Sequence, residues 1–276
     1  MTTSTYARPS LSPLALAASL RRHRRLLQQL VARDVSEKYR AAAGGMLWPV
    51  LTPVLMLAVY VLVFGVVFQV RVGTAPSGNL AEFGIFLFCG LQVHGLFAES
   101  LLRAPSAIVS QPSFVKKVQF PLELLPLTQV AGAFVHYLIG WGVLLAACAL
   151  MQGLHASAVL MPLAMLPLLL LTGGVSLAVA ALAVYLRDIA QITGLLATVL
   201  LFLSPVFFPA QALPEWLRPL LMFNPLTVPI ESVRALLYGT GVDWTAWLAH
   251  AIFCVLAASL GWAFFQATRR GFADVL

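Results

Sequence analysis

Residues 103–121, RAPSAIVSQPSFVKKVQFP, are the one short, basic, polar interruption that cannot lie in lipid, in a chain that is 61% hydrophobic. They separate apolar stretches at 83–102 and 122–151, so they form a loop on one face of a membrane. Lys116 and Lys117, two of only three lysines in the chain, put that face in the cytoplasm, because cytoplasmic loops carry the excess of basic residues. Between Pro105, Pro112 and the pair Phe120-Pro121 the loop has room for about two short helical turns, which carry Ala107, Ile108, Val109, Phe114 and Val115. Such an apolar stripe fits a groove on a partner or rests on lipid headgroups, and spacing alone leaves both readings open.

Outward from this loop the composition sets the class. Charged residues make up 10% of the 276, against roughly 25% in soluble domains. Apolar runs of about 20 residues are long enough to span a bilayer, and six transmembrane helices are predicted at 48–69, 83–102, 125–150, 158–186, 189–208 and 244–265. Six spans leave both termini on one side. With the termini and the 103–121 loop inside, 14 of the 17 basic residues are inside and only Arg71, Arg218 and Arg234 are outside. This bias places both termini in the cytoplasm. It also makes the net charge of +7 a signature of topology and not of nucleic-acid binding.

Cys89, Cys148 and Cys254 fall in apolar runs without metal-ligand or disulfide spacing. No cleaved signal is expected, because no apolar segment ending in a small-residue site closely follows the basic run at 21–25. Residues 1–13 are predicted to be disordered. In 14–47, Leu16, Leu20, Leu27, Leu30, Val31 and Val35 recur at helical spacing with arginines mostly on the other side, which predicts an amphipathic helix on the membrane surface. Residues 48–276 then form a single membrane domain.

In the first span Tyr60, Phe64 and Phe68 are four apart and share a face that is turned to lipid, packed in the core or lining a pathway for sugar rings. The second span ends in Glu99 and Arg103, an i,i+4 pair in the favoured order. His94 and His136 are ionisable groups at membrane depth that face the bundle interior or a water-filled path, and interhelical hydrogen bonding suits them better than proton relay. Arg187-Asp188 is a charged pair in a tight inside turn and needs partners, either each other or a neighbouring loop. The external segment 209–243 is too polar to span and too apolar for a free loop. It predicts two short helices, 214–223 and 226–238, broken at Asn224-Pro225 and carrying the pairs Glu215/Arg218 and Glu231/Arg234. Such a re-entrant hairpin forms a lid over a pathway or lies flat on the outer leaflet. The chain has no P-loop motif, no glycine-rich phosphate cradle and no exposed carboxylate cluster, so no nucleotide hydrolysis is expected of it.

Six runs in this sequence resemble the permease subunit of bacterial ABC exporters for surface polysaccharide, the O-antigen, capsule and teichoic-acid type. They are ARDVSEKYRAAAGGMLWPVLTPVLMLAVYVLVFGVVF, FVKKVQFPLELLPL, AVYLRDIAQI, LLFLSPVFFP, LPEWLRPLLMFNPLTVPIESVRALLYG and RRGFADVL. The resemblance covers about 30–276, in order. It implies an all-α polytopic chain of the bacterial inner membrane with six spans, an interface helix and external gate helices. It further implies a homodimer joined to two copies of a cytoplasmic ATPase that holds ATP and magnesium, with an undecaprenyl-linked polysaccharide as substrate.

By the same resemblance Ser113, Phe114, Lys116, Lys117, Phe120 and Pro121 look like the helix that couples to the ATPase. Arg33, Asp34, Lys38, Tyr39 and Arg40 look like the end of the interface helix, and Arg187 and Asp188 like the inner gate. Glu215, Arg218, Asn224, Pro225, Glu231 and Arg234 look like the external gate. Tyr60, Phe64, Phe68, Phe97 and Trp141 are the candidate sugar-lining aromatics. Two rivals remain: an ABC permease for a lipid or drug, with an aliphatic pathway, and a secondary transporter or intramembrane enzyme, which needs paired ionisable groups at midplane.

Overall fold

The structure, a computed structural model, describes residues 13–40, 44–67, 80–116, 120–151, 153–216 and 218–276, and every regular element among them is helical. The expectations for residues 1–12, for Phe68 and the turn that follows it, and for Lys117 lie outside the described residues.

Helices α1 (Pro13–Arg22) and α2 (Arg24–Arg40) lead to α3 (Trp48–Tyr60). Pro49 sits in the first turn of α3, where its missing N–H is no loss. Pro53 is interior, and over Val61–Val67 the backbone winds into a wider π-helical turn. Helix α4 (Leu80–Arg103) enters the loop with its two short helices, α5 (Ser106–Val109) and α6 (Pro112–Val115). Then come α7 (Leu124–Met151), α8 (Met161–Tyr185) and α9 (Ile189–Leu203). The chain closes with α10 (Arg218–Met222), α11 (Thr227–Tyr238), α12 (Trp244–Thr268) and α13 (Phe272–Val275).

Glu82–Arg103, Leu124–Met151, Ala156–Tyr185 and Trp244–Val275 are long and apolar enough to cross a membrane, while Trp48–Phe64 and Ile189–Leu203 are apolar but shorter. The apolar stretch of α4 is 78% buried, against 17% for α7 and 28% for α12, so α4 is central and the other two are peripheral. Helices α8 and α12 approach closely where Gly174 and Gly261 meet. A Cβ on Gly174 would strike the backbone of Ala258, and one on Gly261 would strike the Gly174 carbonyl. Bare backbones of this kind let helices associate in lipid, where burial of apolar surface supplies no drive.

The run predicted at 189–208 is helical only to Leu203. Ser204 turns extended, with ψ of 153°, and Pro205 has no N–H with which to continue the helix. Non-helical backbone away from water survives only if its polar groups are paired, and the side chain of Arg234 supplies the pairing. Its guanidinium donates to the carbonyls of Pro205, of Val206 at 2.8 Å and of Phe86 on α4 at 3.1 Å. The break between α10 and α11 falls at Asn224-Pro225, and the first of the two helices is shorter than its predicted 214–223. Gly239, at φ of 68°, ends α11 in the left-handed conformation that a Cβ disfavours. Asp243 caps α12, its carboxylate accepting from the N–H groups of Thr245 and Ala246 at 3.0 Å each.

Candidate functional site

Most of the apolar stripe of the 103–121 loop turns into the chain's own core, while Val109 and Phe114 stay half-buried. Ile108 is 0% exposed, and with Ala107 and Val115 it packs against Leu177, Val184, Trp262, Phe265 and Phe272 of the same chain. Ala15 and Leu16 of α1 and Leu276 rest on this cluster, so both ends of the chain brace the loop. Phe114 and Phe120 are half-buried with ring centroids 4.5 Å apart, and Pro121 is half-buried too. Ser110, Gln111, Pro112, Ser113 and Lys116 remain exposed, which leaves the loop a polar, basic tip.

The five candidates at the end of the interface helix divide by face. Arg33 turns outward and pairs with Glu37 at 2.7 Å, and Arg40 is exposed. Asp34 and Tyr39 turn inward, and Lys38 reaches the bundle from an exposed position. Arg103, at the start of the loop, donates to the Asp34 carboxylate; Lys38 meets Glu99 at 2.7 Å; and Glu99 lies 3.7 Å from Arg103. Gly132 is bare because the Asp34 carboxylate occupies the place of its Cβ. Tyr39 is buried, with its hydroxyl 2.6 Å from Nδ1 of His136 on α7. Burial, and then the charge of Glu99, raise the Tyr39 phenol above its ordinary value, so the hydroxyl keeps its proton within this hydrogen bond. The spacing of Asp34 and Lys38, one turn apart on a single face, is the signal that could have shown this four-charge network in the sequence.

A cavity of about 290 Å³ lies among α3, α4, α7 and α9, lined in part by Thr52, Tyr60, Gln92, His94, His136 and Tyr137. His94 and His136 bond across helices: Nε2 of His94 is 3.0 Å from the Ala197 carbonyl, and His136 bonds Tyr39. The buried Nε2 of Gln92 has no partner among the described residues. Of the candidate aromatics, Tyr60 lines this cavity. Phe64 packs on Phe83, with ring centroids 5.7 Å apart, and Trp141 is half-buried against the core. Phe97 is 4% exposed and packs within the core. Gln92 and Tyr137 were missed in the sequence because a lone amide or phenol in an apolar run has no distinguishing period.

Arg187 and Asp188, expected to find partners, are both exposed, and neither joins an ion pair among the described residues. A buried acid not singled out in the sequence lies at the exit of the 103–121 loop. Glu123 accepts from the Ser19 hydroxyl at 2.7 Å and lies 3.6 Å from Arg269, joining α1, the loop exit and the end of α12. At the opposite end Asn224 is buried, its amide donating to the Ser204 hydroxyl at 2.9 Å and its carbonyl accepting from the Leu226 N–H. Pro225 is half-buried and Glu215 exposed; the Arg218 side chain lies outside the described residues. Glu231 and Arg234 pair at 3.2 Å, and the guanidinium carbon of Arg234 sits 3.4 Å above the Phe86 ring. Burial raises the Glu231 carboxyl, while the Arg234 charge pulls it back.

An all-helical bundle with a braced basic loop at one end and a pinned hairpin at the other is the setting in which the comparisons fall. Residues 25–238 match the profile of the ABC-2 type transporter family, and the chain belongs to that family. It is 29% identical, over 95% of its own length and 99% of the relative's, to the O-antigen export system permease protein RfbA of Myxococcus xanthus. Two Klebsiella pneumoniae proteins of the same name are each 23% identical to it, over 91% of this chain and 95% of theirs.

Proposed function

We propose that this chain is the membrane subunit of an ATP-driven exporter that carries a lipid-linked polysaccharide of O-antigen or capsule type across the inner membrane. The carrying observation is the likeness to O-antigen export permeases along nearly the whole of both chains. In this reading two copies form the pathway, both termini are cytoplasmic, and two copies of a separate ATPase bind ATP and magnesium. The undecaprenyl-type carrier of the substrate remains in lipid while its glycan passes.

The polar, basic tip of the loop, Ser113 with Lys116, suits a surface contact with the ATPase. Movement of the loop would pull Arg103 and, through Asp34 and Lys38, the interface helix; through Tyr39 it would reach His136 in the polar cavity. Tyr60 is the aromatic placed to meet sugar there. Asn224 and Arg234 hold the opposite hairpin as a lid. Weak, repeated contacts suit a path that must release a polymer continually.

Deletion of the gene should remove the polysaccharide from the cell surface and leave lipid-linked glycan inside, and the affinity-purified chain should bring an ATPase subunit with it. Unchanged surface polysaccharide in the deletion strain would refute the reading.

A further inference from the structure

A groove of about 480 Å³ runs between α2 and α7, lined by Leu27, Val31, Val35, Ala131 and Val135, with Ala32 at its rim. Nothing else in the described chain covers it. Of its lining only Gln28 and Ser36 carry polar side chains, and they stand at its two ends. The span from Leu27 to Ser36 is about 14 Å of helix, a length suited to a straight hydrocarbon chain and poorly suited to a folded peptide.

The charge at one end of the groove is one-sided. Arg24 is four residues before Gln28 and eight before Ala32, so it continues the same stripe, and Arg25 is beside it; both are exposed. The two acids of α2 are already engaged, Asp34 by Arg103 and Glu37 by Arg33. Neither lines the groove. An apolar slot ending at two guanidinium groups that pair with no acid among the described residues, on a membrane-surface helix, matches a single kind of occupant.

We propose that the groove binds one acyl chain of an anionic glycerophospholipid, with the lipid phosphate held at Arg24 and Arg25. The lipid fills the groove that the interface helix and α7 leave between them beside their direct contacts. This site stands independently of what the protein transports.

The test uses the full chain in nanodiscs made from equal amounts of phosphatidylglycerol and phosphatidylethanolamine, with retained lipid counted by native mass spectrometry. Phosphatidylglycerol should be retained in preference. Arg24→Gln and Arg25→Gln should each reduce that preference about fivefold, the effect of one basic residue near a charged membrane surface. Ala32→Trp fills the slot from its exposed rim and should abolish retention of either lipid while the protein stays monodisperse. Equal retention of the two lipids, or retention that survives Ala32→Trp, overturns the proposal. So does disulfide pairing of Val31→Cys between two copies, which would show that a second chain fills the groove; the native cysteines are buried and do not interfere.

Discussion

The hydroxyl of Tyr39 lies 2.6 Å from Nδ1 of His136, and this hydrogen bond joins the last turn of the interface helix to the wall of the polar cavity. Tyr39→Phe keeps the ring packed and removes only the bond, at a cost of about 1 kcal/mol. Thermal unfolding in detergent should fall by about 2–4 °C. An unchanged unfolding temperature would mean that the bond contributes nothing to holding α2 in place.

Asp34 and Arg103 should be energetically coupled. Their side chains are 20% and 29% exposed, so solvent screens part of the attraction, and a double-mutant cycle with Asp34→Ala and Arg103→Ala should return about 1 kcal/mol of interaction. Exchanging the two charges, Asp34→Arg with Arg103→Asp, should restore more stability than either single reversal. Purely additive losses would show that the pair is incidental.

Two substitutions separate the packing of the loop from its contact surface. Ile108→Asp puts a charge in a fully buried apolar site, costs more than about 4 kcal/mol and should abolish folded protein. Lys116→Glu changes an exposed residue and should leave stability within about 0.5 kcal/mol, yet lower export and the copurification of an ATPase. Normal export by Lys116→Glu would remove this residue from the coupling surface.

The contact between α8 and α12 admits no side chain at Gly261, whose Cβ would meet a backbone carbonyl that cannot swing aside. Gly261→Val should cost about 1–3 kcal/mol by forcing the helices apart. Gly142, with open space around its Cβ position, should tolerate Gly142→Ala with little change, and unfolding curves of the two variants make the comparison.

Arg234 holds three backbone carbonyls, and Lys cannot reproduce that fork, so Arg234→Lys should destabilise the hairpin by about 3 kcal/mol. Its partner Glu231 gives a pH signature. Burial raises its carboxyl above the usual 4.5 in the folded chain, so the fold binds the proton more tightly than the unfolded state does. Stability should therefore decrease as pH rises from about 4.5 through the folded value. Glu231→Gln should flatten that segment of the stability–pH curve, and an unaltered slope would assign it to another group.

Composition and periodicity alone determined the membrane class, the all-helical character, the position of the basic loop, the amphipathic helix before the first span and the break at Asn224-Pro225. Those features are local: a bilayer leaves the backbone no partner but itself, so every apolar run must be helical, and charges and prolines must mark the ends. Pairing between distant positions came only from the tertiary structure. It turned Ile108 inward against α8 and α12, put Phe97 in the core, divided the interface-helix residues by face and ended α9 at Leu203. The deciding contacts join Arg234 to a residue 148 positions away and Tyr39 to one 97 away. No period along the chain encodes such a distance; it is set by which helices pack side by side and by which buried carbonyls need a donor.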